Sequence, residues 1–243
     1  MPESEVLALC LTAATLGLVH TLLGPDHYVP FVAMAKVGRW LMRKTMIVTA
    51  LCGVGHVAGS IMIGALGIAI GWGLGGLEAF EAGRGSLAGW LLLGFGMAYA
   101  AWGLHRAVRK RTGGHLHVQT NGATTYHHHD HDGEHRHETG HDREDRYAAR
   151  GTMTPWVLFT IFVFGPCEPL IPVLMYPAAK QSAWSIALVS LVFAIFTIGT
   201  MLTVVTLGVT GLAHVQIRGL ARYGHVVAGM TIAACGAAVT LGL

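Results

Sequence analysis

GPDHYVP, residues 24–30, and GPCEPLIP, residues 165–172, interrupt two apolar runs in the same way: Gly-Pro, then residues able to hold an ion, then a second Pro. In the interior of a water-soluble helix Pro costs about 3 kcal/mol and Gly about 1, because Pro removes a backbone hydrogen bond and its ring strikes the preceding turn. Within lipid the freed carbonyls also need partners or a water-filled cavity. A matched pair of such breaks therefore predicts a polar pocket inside a helix bundle.

That setting follows from composition. Of the 243 residues 53% are hydrophobic and only 12% charged, against roughly 25% charged in an ordinary soluble domain, and the mean hydropathy is +0.53. Uncharged windows cover residues 6–25, 45–77, 85–104, 151–167, 181–217 and 223–243. A spanning helix needs about 20 apolar residues, so these predict an all-α polytopic bundle of six transmembrane helices, with helices 1 and 4 broken at the Gly-Pro pairs. The opening "MPESEV" is acidic and lacks a basic signal start, so the first apolar run reads as a retained helix.

Charge sets the expected orientation. If the connections alternate sides, those after spans one, three and five carry every Lys and Arg except Arg84 and Lys180. The positive-inside rule makes that side cytoplasmic and puts both termini outside a cell (inner) membrane. The Trp residues fall near the expected interfaces, as an aromatic belt requires. The partners expected are the lipid bilayer and an ion, with no nucleic acid, and exposed glycine faces suited to a homodimer.

Three segments divide the chain. Residues 1–105 and 151–243 are the two membrane halves, and residues 106–150 form a connection rich in His and acids that cannot bury a core. The halves correspond. Gly96-Met97 followed by Gly103 matches Gly229-Met230 followed by Gly236, and because three spans is an odd number the second half enters from the opposite side. A 3+3 inverted repeat with broken helices in matching positions is a common transporter plan.

The breaks carry the chemistry. Asp26 and Glu168 are the acids that the windows place at membrane depth, where a charge costs on the order of 3 kcal/mol and argues for use. Around them stand His20, His27, His56 and Cys167. Imidazole, carboxylate and thiolate together suit a first-row transition ion such as nickel, cobalt or zinc, whereas magnesium and calcium sites are oxygen-rich. Seven residues of unbroken helix would hold His20 and His27 about 10 Å apart, so they share one ion only if Gly24-Pro25 bends the chain.

The stretch HTLLGPDH, residues 20–27, resembles the first-helix signature of the nickel/cobalt transporter superfamily, a His followed after four residues by Asp-His; here five residues intervene. The whole pattern is similar to its UreH-like and nickel/cobalt efflux branch, whose members have about six spans and often a His-rich cytoplasmic loop. The resemblance implies transport of nickel or cobalt, with His20, Asp26 and His27 as the metal site and His56 as a weaker addition. The residues add further expectations: with no recognisable nucleophile or general base the chain is not an enzyme, it has no prosthetic group and carries its divalent ion as cargo, the His-rich loop favours the efflux direction, and the acids Asp26 and Glu168 suggest proton coupling. In the loop, His127, His128, His129, His131, His135, His137 and His141 are expected to capture metal.

Two rival classes share features with the chain. It is distantly similar to TauE/SafE exporters of small sulfur anions, although Asp26 and Glu168 would repel an anion unless protonated. It is also similar to thiol and electron carriers of the CcdA/DsbD type, but Cys167 aligns with Asp26 and leaves no partner thiol in the first half.

Overall fold

The structure is a computed structural model that describes residues 2–71, 73–109, 114–118, 124–128, 153–165, 167, 169–180, 182–213 and 223–242. Helix α1 is Glu3–Leu23, followed by a 3-10 turn, Pro25–His27, and helix α2, Val29–Val37. Helices α3, Met42–Ala69, and α4, Leu74–Arg109, complete the first half. Strands β1, Gly114–Val118, and β2, Thr124–His128, pair antiparallel with His115 opposite His127. The second half holds α5, Met153–Phe164, α6, Leu170–Ala179, α7, Ala183–Ala213, and α8, Gly224–Thr240.

The membrane part is all-helical, and α1, α3, α4 and α7 are long and apolar enough to cross a bilayer. Helices α5, α6 and α8 are shorter apolar segments. Their outer surfaces are what lipid wants: Leu7, Leu11, Leu66, Trp90, Trp156, Trp184 and Leu207 all point outward with more than half of their surface exposed. In water such a surface would be a continuous aggregation liability, and in hydrocarbon it has no cost. These helices mark a membrane protein.

Threonine is common in α1 and α7, and most of its hydroxyls bond within their own helix; Thr197 of α7 is the buried exception among the described threonines of these two helices. Thr12, Thr15 and Thr21 donate to the carbonyls four residues back, at Ala8, Leu11 and Gly17. Thr200, Thr203, Thr206 and Thr210 do the same in α7. Back-bonding of this kind is what lets a polar side chain sit in lipid without a stranded donor.

The helices pair in a regular manner. Helix α1 packs on α7, α5 packs on α3, α3 meets α7, and α4 lies along α8. The α4–α8 pair is antiparallel, with Gly89 beside Thr240, Gly96 against the backbone of Ala233 and Gly229, and Gly103 against His225. A Cβ on Gly96, Gly229 or Gly236 would land on the opposing backbone, so close approach, rather than flexibility, selects glycine there. Two apolar clusters fill the interior. One gathers Phe31, Met34, Cys52, Leu92, Phe162, Met201 and Ile232, and the other Ala13, Val57, Cys167, Leu170, Leu174 and Phe193.

One stretch departs from the uncharged windows. Helix α4 begins eleven residues before residue 85, at Leu74, and runs 36 residues, about 54 Å against a hydrocarbon core of about 30 Å. Glu81 and Arg84, which the windows leave outside the third span, therefore lie within a helix, and both are buried.

Candidate metal centre

Helix α1 stops at Leu23 because Pro25 has no N–H to continue it. Gly24 closes the helix by donating to the His20 carbonyl, and Pro25 then opens the 3-10 turn, where a missing donor costs nothing. A Cβ on Gly24 would strike the His27 ring and the Asp26 carboxylate. The tight turn swings His27 back toward His20, and the two ring centroids lie 4.7 Å apart. That is about half the separation an unbroken helix would impose.

His56 reaches the same point from the middle of α3. Its ring centroid is 5.1 Å from that of His27 and 6.3 Å from that of His20. One ring nitrogen from each of the three lies within 4.8 Å of the others. With metal–nitrogen bonds near 2.1 Å, tetrahedral or octahedral ligation brings nitrogens about 3 to 3.5 Å apart, so an inward shift of about 1 Å closes the set. Among the described residues this is the one group of His, Cys, Asp or Glu side chains near enough to share an ion.

The hydrogen bonds choose which nitrogens are free. His27 Nδ1 is 3.1 Å from the Gly24 carbonyl and His56 Nδ1 is 3.3 Å from the Phe162 carbonyl. A carbonyl only accepts, so in each ring Nδ1 carries the proton and Nε2 keeps its lone pair. The Nε2 atoms of His20, His27 and His56 are all buried without a hydrogen-bond partner. Stranding three polar atoms in one spot opposes folding unless something fills the place. Asp26 supplies the negative charge. Its Oδ1 is 3.2 Å from His27 Nδ1 and its side chain keeps 25% exposure, so it stands beside the three rings without joining the set of ligand atoms within 4.8 Å.

Beside His27 and His56 is a cavity of about 20 Å³ lined by Asp26, His27, His56, Ala88, Gly89 and Phe162, room for one water-sized particle; His20 does not line it. Small residues of α4 make the space, and the Phe162 ring stands edge-on to His27 and His56. Three imidazoles with the Asp26 carboxylate beside them form a nitrogen-rich site suited to zinc, nickel, cobalt or copper and poorly suited to magnesium or calcium.

The second break is furnished differently. Cys167 does not join the imidazoles; it is fully buried in the apolar cluster with Ala13 and Leu170, and its backbone N–H donates to Glu81 Oε2 at 3.1 Å. Glu81 pairs with Arg84, and Ser60 donates to the same carboxylate. Arg84 further donates to the carbonyls of Val163 at 3.0 Å and Gly165 at 3.1 Å. These are end-of-helix carbonyls of α5 that have no intrahelical partner, and a cation is the natural cap for them.

Glu168 lies outside the described residues, as do His129, His131, His135, His137 and His141. His127 and His128 fall on β2. Sequence reasoning missed Glu81, Arg84 and Ser60, because a charge next to an uncharged window was counted as a loop charge. The available signal was the i,i+3 spacing of Glu81 and Arg84, which puts both on one helix face. No family model, curated protein or solved structure matches the chain.

Proposed function

We propose that the chain is a secondary transporter of divalent transition-metal ions, with His20, Asp26, His27 and His56 as the binding site and nickel or cobalt as the first candidates, zinc next. Two observations carry the reading: one ring nitrogen of each of His20, His27 and His56 lies within 4.8 Å of the others, and the buried Nε2 of each ring has no hydrogen-bond partner. A merely structural His at membrane depth spends both ring nitrogens on neighbours, whereas His27 and His56 spend only Nδ1.

The helix pairings favour two related halves. Packing of α1 on α7 has its counterpart in α5 on α3, packing of α2 on α8 in α6 on α4, and α4 with α8 is its own counterpart. That is the relation expected of a 3+3 inverted repeat in which α1–α2 corresponds to α5–α6. Alternating access would then be a rocking of one half against the other around the imidazole site.

In this reading the His-rich residues 106–150 face the cytoplasm of a cell-membrane protein, and the segment's His127, His128, His129, His131, His135, His137 and His141 gather metal for export. An imidazole or carboxyl that has taken up a proton must lose it before it can ligate, so a cycle in which the emptied site is protonated from outside and the loaded site is not would couple efflux to the proton gradient. The test is flux of Ni(II), Co(II) and Zn(II) in proteoliposomes carrying a pH dye, with His27→Ala as control. Metal movement that depends on His27 and is matched by counter-moving protons supports the proposal. Flux with no proton movement rejects the coupling, and flux indifferent to His27 rejects the site.

A further inference from the structure

Arg84 and Glu81 sit beside the imidazole site without touching an imidazole, and a continuous hydrogen-bond path joins them to it. Arg84 donates to the Gly165 carbonyl, the Gly165 N–H donates to the Phe162 carbonyl at 3.0 Å, and the same Phe162 oxygen accepts from His56 Nδ1. On α3, Ser60 stands one turn beyond His56 and binds both members of the pair, accepting from Arg84 and donating to Glu81. The pair thus fastens the end of α5 to α3 and α4 at the level where His56 takes its orientation.

We infer that Arg84, braced by Glu81, is a positioning residue for His56: it holds the α5 terminus so that the Phe162 carbonyl fixes the His56 tautomer and aims Nε2 into the cavity. The inference rests on the metal-binding reading of that site. Outer-shell partners of a ligating imidazole set its tautomer and ring angle, and losing one lowers metal affinity about 10- to 100-fold. Arginine is the residue type the geometry demands. Its planar fork reaches the Glu81 carboxylate, Ser60 Oγ and two carbonyls at once, whereas a lysine ammonium on its stem cannot span them. Because Glu81 balances the guanidinium, the brace stands next to a cation site without adding net charge to it.

The second break thereby has a resident cation of its own. The carbonyl end of α5, which would otherwise attract a mobile ion, is occupied by a tethered guanidinium, so the two halves share a packing plan but not a binding role.

The test titrates full-length protein in detergent with Co(II), whose visible d–d absorption reports nitrogen ligands and their geometry. Absorption that disappears in His27→Ala belongs to the pocket, and the remainder to other sites. We expect Arg84→Lys, and the paired Glu81→Leu with Arg84→Met, to weaken the pocket's Co(II) affinity about 10- to 100-fold and to shift its band. Neither change should add to the loss already present in a His56→Ala background. The paired variant leaves no lone buried charge, so it keeps the test decisive if Arg84→Lys does not fold. An unchanged band and affinity in the folded variants overturns the inference and leaves the pocket standing, and so does an equal loss with and without His56. Absence of any His27-dependent absorption in unsubstituted protein overturns the pocket and the inference together.

Discussion

His27 and His56 meet edge to face, at 85° with centroids 5.1 Å apart, and each gives its Nδ1 proton to a carbonyl of a different segment, Gly24 in the first break and Phe162 at the end of α5. These bonds hold both rings in place and leave the Nε2 of each buried without a partner. A pre-aimed pair of this sort lowers the ordering cost of binding an ion.

The first prediction follows directly. Removing a ligand should cost more than the roughly 10- to 100-fold that an outer-shell partner costs. His27→Ala or His56→Ala should therefore reduce Ni(II) or Co(II) affinity by more than about 100-fold, read by calorimetric titration of purified protein. Helical circular dichroism should stay unchanged, since removing an unsatisfied buried nitrogen relieves a penalty.

Acid should oppose binding. An imidazole ligates only when neutral, and His ordinarily gains its proton near pH 6.5, so lowering the pH from about 8 to about 5 puts protons in competition with the ion. Apparent affinity should fall once the rings begin to take up protons, and under those acid conditions each ion bound should release protons measurable in weakly buffered solution. Affinity that stays flat while the rings themselves take up protons would remove histidine from the ligand set.

The buried pair makes a prediction about stability. Glu81→Ala strands a guanidinium with no counter-charge, and breaking a buried ion pair from one side typically costs 3–5 kcal/mol. Replacing both partners by apolar residues of like volume should cost far less, because such exchanges are often neutral. Thermal unfolding in detergent should rank the single variant well below the double one. The reverse order would mean that the pair is not desolvated.

The membrane site and the His-rich segment should separate. Deleting residues 115–141 should lower apparent metal affinity in transport while leaving flux at saturating metal, whereas Asp26→Asn should abolish flux. Loss of transport on deletion with survival in Asp26→Asn would move the chemistry into the segment between the halves.

Much of the site was legible at the level of residue pattern. Gly24-Pro25 announced the end of α1, since one residue lacks a Cβ and the next lacks an N–H, and His20 with His27 could face a common point only across that turn. His56 was harder to weigh, because a single His in an apolar run gives no sign of which way it faces; its partner, the Phe162 carbonyl, is 106 residues away. Arg84 was illegible for a different reason. Hydropathy windows end at charges, so a buried arginine is counted as a loop cation until something shows the acid and the carbonyls that neutralise it. The extent of α4 was lost in the same way, at the stretch "EAFEAGRGS" of residues 78–86.

The glycine contact between α4 and α8 limits what can move. Where two backbones touch with no side chains between them, sliding would lift each glycine out of its seat against the other chain, and no rotamer change can absorb the step. In the transport proposal this pair would serve as an axle, with any swing that exposes the imidazoles to one face and then the other carried by the helices that hang from it.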